Sequence, residues 1–136
     1  MTTVKSKYLG GLRVESIHLQ SGTKIVTDAP TDNHGKGESF SPTDLCATAL
    51  AGCMMTIMGL YAQNAGIDVV GAEIEITKKM TAEPRRIGEI EVIFNMPDKD
   101  YSDKDKKALE RAAHTCPVHY SLSENLIQTV IFNWKK

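Results

Sequence analysis

SPTDLCATALAGCMMTIMGLYAQ, residues 41 to 63, reads as the greater part of one long helix whose two ends are signalled in the sequence. Ser41 offers an N-cap hydroxyl, Pro42 takes the first helical position, and Asp44 follows the cap by three residues, an acidic variant of the capping box. The helix is predicted to run to Asn64, with Gly66 as its stop. Its body carries no charge: Cys46 to Ala62 is a run of 17 uncharged residues, close to the shortest length that spans a bilayer. Thr48, Gly52, Thr56 and Gly59 dilute that apolarity, Gln63 and Asn64 close it, and no basic cluster flanks it. Burial in protein is therefore a simpler reading than a membrane span. About 24 residues rising about 1.5 Å each extend roughly 36 Å, comparable with the diameter of a compact domain of this size. One copy of the chain offers too little surface to cover such a helix, which predicts a second copy packed over it in an obligate two-fold homodimer.

The flanking segments supply the remaining elements. Lys5 to Thr27 is short and β-like, with Ile17, Leu19, Ile25 and Val26 on either side of a Ser21-Gly22 turn signal, and reads as a hairpin. Asp28 to Ser39 collects Pro, Asn, Asp and Gly without apolar periodicity and reads as a loop. After Gly66, Ala72, Ile74 and Ile76 share one strand face, and Ile90, Val92, Phe94 and Met96 share another, with AEPRR between them as the turn of a second hairpin. Ser102 caps a helix with Asp103 and Asp105 in its first turn and Ala108, Leu109, Ala112 and Ala113 as its apolar positions, ending near His114. Cys116 caps the next helix, Pro117 opens it, and Leu122, Leu126 and Ile127 make its expected buried stripe. Val130 to Trp134 closes as a strand. The order is that of an α+β fold with helices segregated from antiparallel sheet, in a single domain over residues 1–136.

At 136 residues the chain can bury roughly two thirds of the surface its unfolded form exposes, so it needs neither disulfide nor metal to fold. Its 16 basic residues are balanced by 17 acidic ones and no basic stripe is punctuated by aromatics, which argues against nucleic acid as a partner. MTTVKSKYLGG at the N-terminus has no apolar core or small-residue cleavage site, so a cytoplasmic location is expected. Thiols stay reduced there unless their chemistry is transient and functional, and three cysteines do not make a disulfide framework.

Cys53 lies inside the long helix and Cys116 at the mouth of a late one. An unperturbed thiol with a pKa of about 8.5 is about 3% thiolate at neutral pH, and a helix N-terminus lowers that pKa. By position, with His114 and His119 nearby, Cys116 is thus the more nucleophilic of the two. Cys53, mid-helix, gains little from its own dipole, although Gly52 beside it leaves room for a backbone or substrate to approach. Its bland reading is an inert, buried apolar residue. Cys46 precedes Cys53 by seven residues, about 10.5 Å along the axis and beyond disulfide reach, and reads as core packing. That leaves Cys53 and Cys116 as the redox pair. A metal site built on His114, Cys116, His119 and Cys53 lacks any C-x-x-C or H-x-x-x-H spacing, so no metal and no cofactor is expected. His18 and His34 read as a strand and a loop residue.

SPTDLCATALAGC and CPVHYSL, joined through PRRIGEIEVIFNMP and followed by a strand ending in Trp134, resemble the OsmC/Ohr family of hydroperoxide-reducing proteins over most of the chain. The specific parts are the Ser-Pro opening of the long helix, the small-residue approach to Cys53, and the Cys-Pro of the late helix. The resemblance implies an intertwined homodimer in which sheets wrap two central helices and each site is built from both subunits. It also implies a peroxidase in which Cys53 attacks the peroxide, becomes a sulfenic acid and condenses with Cys116, a dithiol reductant then reopening the disulfide. The family thereby gives the attack to Cys53, activated by an arginine and a glutamate on other elements. Two departures stand out. The carboxylate that peroxidase members place after the helix-opening proline corresponds to Thr43, with Asp44 one position late and turned by about 100°. No arginine occurs between Arg13 and Arg85, which leaves Arg13 as the candidate activating cation.

The leading functional expectation is a thiol peroxidase for organic hydroperoxides, with Met54, Met55 and Met58 either favouring an organic tail or filling the core. The alternative is a redox-sensing or small-molecule-binding dimer on the same fold without efficient turnover, kept alive by Thr43. A purely structural subunit would make both Cys53 and Cys116 incidental.

Overall fold

The computed structural model describes residues 1–134, which divide into two compact units, residues 1–46 and the described residues from 47 onward. The first unit carries three antiparallel strands in the order β1-β2-β3: β1 Val4–Gly10, β2 Arg13–His18 and β3 Lys24–Asp28. The expected hairpin around Ser21-Gly22 is the β2–β3 half of this meander. The other half turns at Gly10, Gly11 and Leu12, all at positive φ (83°, 62° and 64°), and the sequence reading passed over that Gly-Gly signal. The loop after β3 holds a short 3-10 turn, Thr31–Asn33. The buried residues of this unit are all polar, Thr27, Asp28 and Ser41, while Tyr8, Leu9, Ile25 and Phe40 are exposed.

The long helix, α1 Pro42–Ala65, starts and stops where its signals predicted. Ser41 Oγ accepts from the Asp44 amide at 3.0 Å and Asp44 Oδ2 accepts from the Ser41 amide at 2.9 Å, so the capping box closes in both directions. At the far end Gly66 takes φ 71° and the Ile67 amide reaches back to the Ala62 carbonyl at 2.8 Å, a 6→1 bond that a side chain at position 66 would strain.

In the second unit, β4 Glu73–Thr81 and β5 Arg86–Asn95 pair antiparallel, followed by α2 Asp103–Ala113, α3 Pro117–Ser121 and β6 Ile127–Asn133. β6 lies parallel to β5, in the order β4-β5-β6, so one pairing departs from the antiparallel expectation: the α2–α3 crossover brings the chain back in the direction it left. Leu50, Ala51, Met54 and Met58 of α1 join Ile90, Val92, Phe94 and Met96, Leu109, Ala113 and Cys116 in one buried core. Phe94 stacks on Phe132 with ring centroids 5.0 Å apart and planes 10° off parallel. The late helix is shorter than expected. Leu122 already has extended backbone, Leu126 lies in a turn, and Ile127 begins β6 at 60% exposure, so these three are not a helical stripe.

By length and composition α1 is able to cross a membrane, yet Ala47, Leu50, Ala51, Met54, Met58 and Ala62 of one face are buried within the chain itself. Its opposite face, Ala49, Gly52, Thr56, Leu60 and Gln63, is open, with Leu60 54% exposed. A single copy therefore buries only one face of the helix that the sequence marked as apolar all round.

Candidate active site: a thiol pair on two helices

The capping box fixes where α1 begins and the core fixes its rotation, and together they set Cys53 on the flank between the buried face and the open one, half-buried. A side-chain carbon at the neighbouring Gly52 would meet no atom within 4 Å, and Thr56 Oγ1 donates to the Gly52 carbonyl at 2.7 Å, covering that backbone from the outer side.

Cys116 approaches from the other end of the unit. As N-cap of α3 it accepts the His119 amide on its sulfur at 3.2 Å, with Pro117 at the first helical position, as the sequence indicated. Its exposure is 0%, and its thiol lies near enough to that of Cys53 for the two to interact. Two cysteines 63 positions apart in sequence thus meet, and both are free thiols. Cys46, also free and half-buried, belongs to the N-terminal unit.

The expected acidity of Cys116 is overturned. Burial comes first and pushes the thiol up from its ordinary value, the contact with Cys53 pushes the same way, and the His119 and Val118 amides oppose both without prevailing. The N-cap position is real, but a helix of five residues has a weak dipole and loss of water outweighs it. The resting Cys116 keeps its proton, which removes the positional case for Cys116 as the attacking thiol.

Around Cys116 the histidines are tethered. His114 Nδ1 lies 2.9 Å from the Glu110 carbonyl, His119 Nδ1 lies 2.5 Å from Gln128 Oε1, and the two rings stand perpendicular with centroids 6.0 Å apart. Among the described residues no group of three or more His, Cys, Asp or Glu side chains gathers as a metal site. Met54 and Met58 are fully buried core residues and Met55 is half-buried, so the methionines do not by themselves outline a substrate slot.

In the N-terminal unit Arg13 is held by two carboxylates. Its Nε donates to Asp28 Oδ1 at 2.7 Å, and its Nη2 donates to Asp28 Oδ2 at 3.2 Å and to Glu38 Oε1 at 2.7 Å. The Glu38 amide also donates to Asp28 Oδ2, at 2.9 Å. The hydrogen bond from Arg13 holds the buried Asp28 carboxyl below its usual range, and Asp28 in turn raises Arg13. The sequence reading missed Asp28 and Glu38, which looked like loop residues; the cue available was the acidic edge of the segment after β3. Asp44 spends one carboxylate oxygen on the helix cap, and Thr43 Oγ1 lies 3.1 Å from Ser41 Oγ.

The model of the OsmC-like protein family matches residues 35–130, a span that holds both Cys53 and Cys116. The chain belongs to the OsmC-like family. Among solved structures, a protein from Psychrobacter arcticus 273-4 named for osmotic-stress and detoxification responses is 48% identical, with a TM-score of 0.93, 98% of this chain and 96% of that chain being covered. OsmC-like folds recur at lower identity. The organic hydroperoxide resistance protein OsmC of Legionella pneumophila is 18% identical with a TM-score of 0.73, and OhrB of Bacillus subtilis 19% with 0.70; both matches cover 98% of each chain. No curated protein matches the chain.

Proposed function

We propose that this OsmC-like protein is a thiol peroxidase for organic hydroperoxides, acting in the cytoplasm. The observation that carries the reading is the contact between Cys53 and Cys116, a half-buried thiol beside an open glycine backed by a buried thiol that keeps its proton. In the first step the Cys53 thiolate attacks the terminal peroxide oxygen. The O–O bond breaks, an alcohol leaves with the available proton, and Cys53 becomes a sulfenic acid. In the second, Cys116 attacks the Cys53 sulfur, the S–S bond forms as the S–O bond breaks, and water departs. A dithiol donor then returns both thiols by exchange. The preference for organic over hydrogen peroxide follows the names of the Legionella and Bacillus neighbours. Arg13, carried with Glu38 on the N-terminal unit, is the candidate activating cation.

Reduced protein mixed with stoichiometric cumene hydroperoxide is expected to yield a Cys53–Cys116 disulfide, mapped by mass spectrometry, and catalytic protein with a dithiol is expected to consume peroxide. Unreacted thiols with peroxide unchanged would sink the peroxidase. A disulfide without turnover would instead favour the redox-sensing reading, for which the engagement of Arg13 by Asp28 and Glu38 speaks.

The reading includes a homodimer. The open face of α1 and the apolar residues left exposed on the N-terminal unit are the surfaces a second copy would cover. Leu60→Glu places a charge on that face and is expected to give a monomer in light scattering, with peroxidase activity reduced at least about tenfold. A dimer of undiminished activity would remove α1 from the interface.

A further inference from the structure

α3 has five residues, too few for a helix to stand by its own hydrogen bonds. Yet the amide that meets Cys116 Sγ belongs to it. The brace comes from β6, where Gln128 sits in register with Ile90 of β5. Gln128 Oε1 lies 2.5 Å from His119 Nδ1 and Gln128 Nε2 donates to the His119 carbonyl at 3.3 Å. A primary amide has an acceptor on one side and donors on the other, so the two contacts orient it and require the proton on His119 Nδ1. One side chain thereby fixes both the ring and the peptide of His119.

We infer that Gln128 is a positioning residue for the disulfide-forming step, holding the His119 amide on Cys116 Sγ by clamping His119 at its ring and its carbonyl. The inference takes that step from the peroxidase reading. As Cys116 loses its proton and its sulfur attacks the sulfenic sulfur of Cys53, hydroxide leaves and takes up that proton as water. The negative charge on Cys116 is met by the amides of His119 and Val118, at a residue of 0% exposure. The other groups bearing on this sulfur are few. Cys53 faces it from α1, His114 at the end of α2 directs Nδ1 to the Glu110 carbonyl, the His119 ring turns to Gln128, and Gln128 itself is uncharged.

The test compares wild type with Gln128→Leu, which removes both hydrogen bonds, and Gln128→Met, nearer in shape, which gives the same readout where the leucine variant does not fold. Each reduced protein is oxidised with stoichiometric cumene hydroperoxide, sulfenic acid being trapped with dimedone and disulfide followed by mass spectrometry from about pH 6 to about pH 9. The expected result is disulfide formation slowed about tenfold, a rate profile displaced upward by about one pH unit, and sulfenic acid formation unchanged. A wild-type rate and profile, or a slowing of equal size at every pH, overturns the inference, because a merely structural role would not move the profile. A second readout needs no peroxide. In a Cys46→Ser, Cys53→Ser background Cys116 is the one remaining thiol, and its ultraviolet thiolate absorbance is titrated with and without Gln128. If wild type forms neither sulfenic acid nor disulfide, the peroxidase reading falls, and this titration still decides the clamp: an upward shift in the Gln128 variant supports it, and coincident curves overturn it.

Discussion

Replacing Cys53 by serine is expected to remove hydroperoxide consumption, a fall of at least about a thousandfold in rate, because a hydroxyl in that position has no low-lying anion with which to attack an O–O bond. The fold should survive. Cys53 is half-buried and the core of α1 is made by Leu50, Ala51, Met54 and Met58, none of which changes. Cys116→Ser separates the roles: Cys53 is still expected to consume one equivalent of peroxide, and its sulfenic acid, deprived of the adjacent thiol, to proceed to sulfinic acid under excess oxidant. Peroxide loss measured beside the intact mass of each variant checks both. A Cys53→Ser protein that turns over like wild type would move the chemistry to Cys46 or Cys116.

The second large effect concerns stability. Phe94 is fully buried on β5, with Ile74 of β4 and Phe132 of β6 opposite it in register, and its ring stacks on that of Phe132. Phe94→Ala removes the aromatic area, the stack and the volume together, at a cost of about 3–5 kcal/mol. Domains hold only about 5–15 kcal/mol in total, so the variant should be unfolded or close to it at ambient temperature. Urea denaturation followed by circular dichroism measures the loss. A cost below about 1 kcal/mol would mean that the core closes over the gap.

What the chain disclosed, and what it withheld, divides by the range of the interactions involved. The limits of α1 were legible because a reciprocal cap and a terminal glycine act within a few residues of themselves. Ile90, Val92, Phe94 and Met96 were legible as a core face because alternation is local too. The late helix misled because the spacing of Leu122, Leu126 and Ile127 suits a helix while the chain was already entering β6; short apolar segments carry that ambiguity. The identity of Cys116 as an N-cap could be read, but its acidity could not, since burial depends on α1 and the core rather than on neighbours in sequence. Gln128 and the two carboxylates on Arg13 are likewise products of packing between elements, and no spacing signals them.

The N-terminal meander has no apolar interior of its own: what it buries is Thr27, Asp28 and Ser41, and its cohesion rests on strand hydrogen bonds and the Arg13 ion cluster. Three strands without a covered apolar face are marginal in water. If a second copy provides the cover, order in these strands becomes a matter of mass action. Protomer concentration, as much as temperature, would then set how much of the population holds them folded. Scarcity alone would loosen Arg13 while leaving the two thiols of the C-terminal unit in contact.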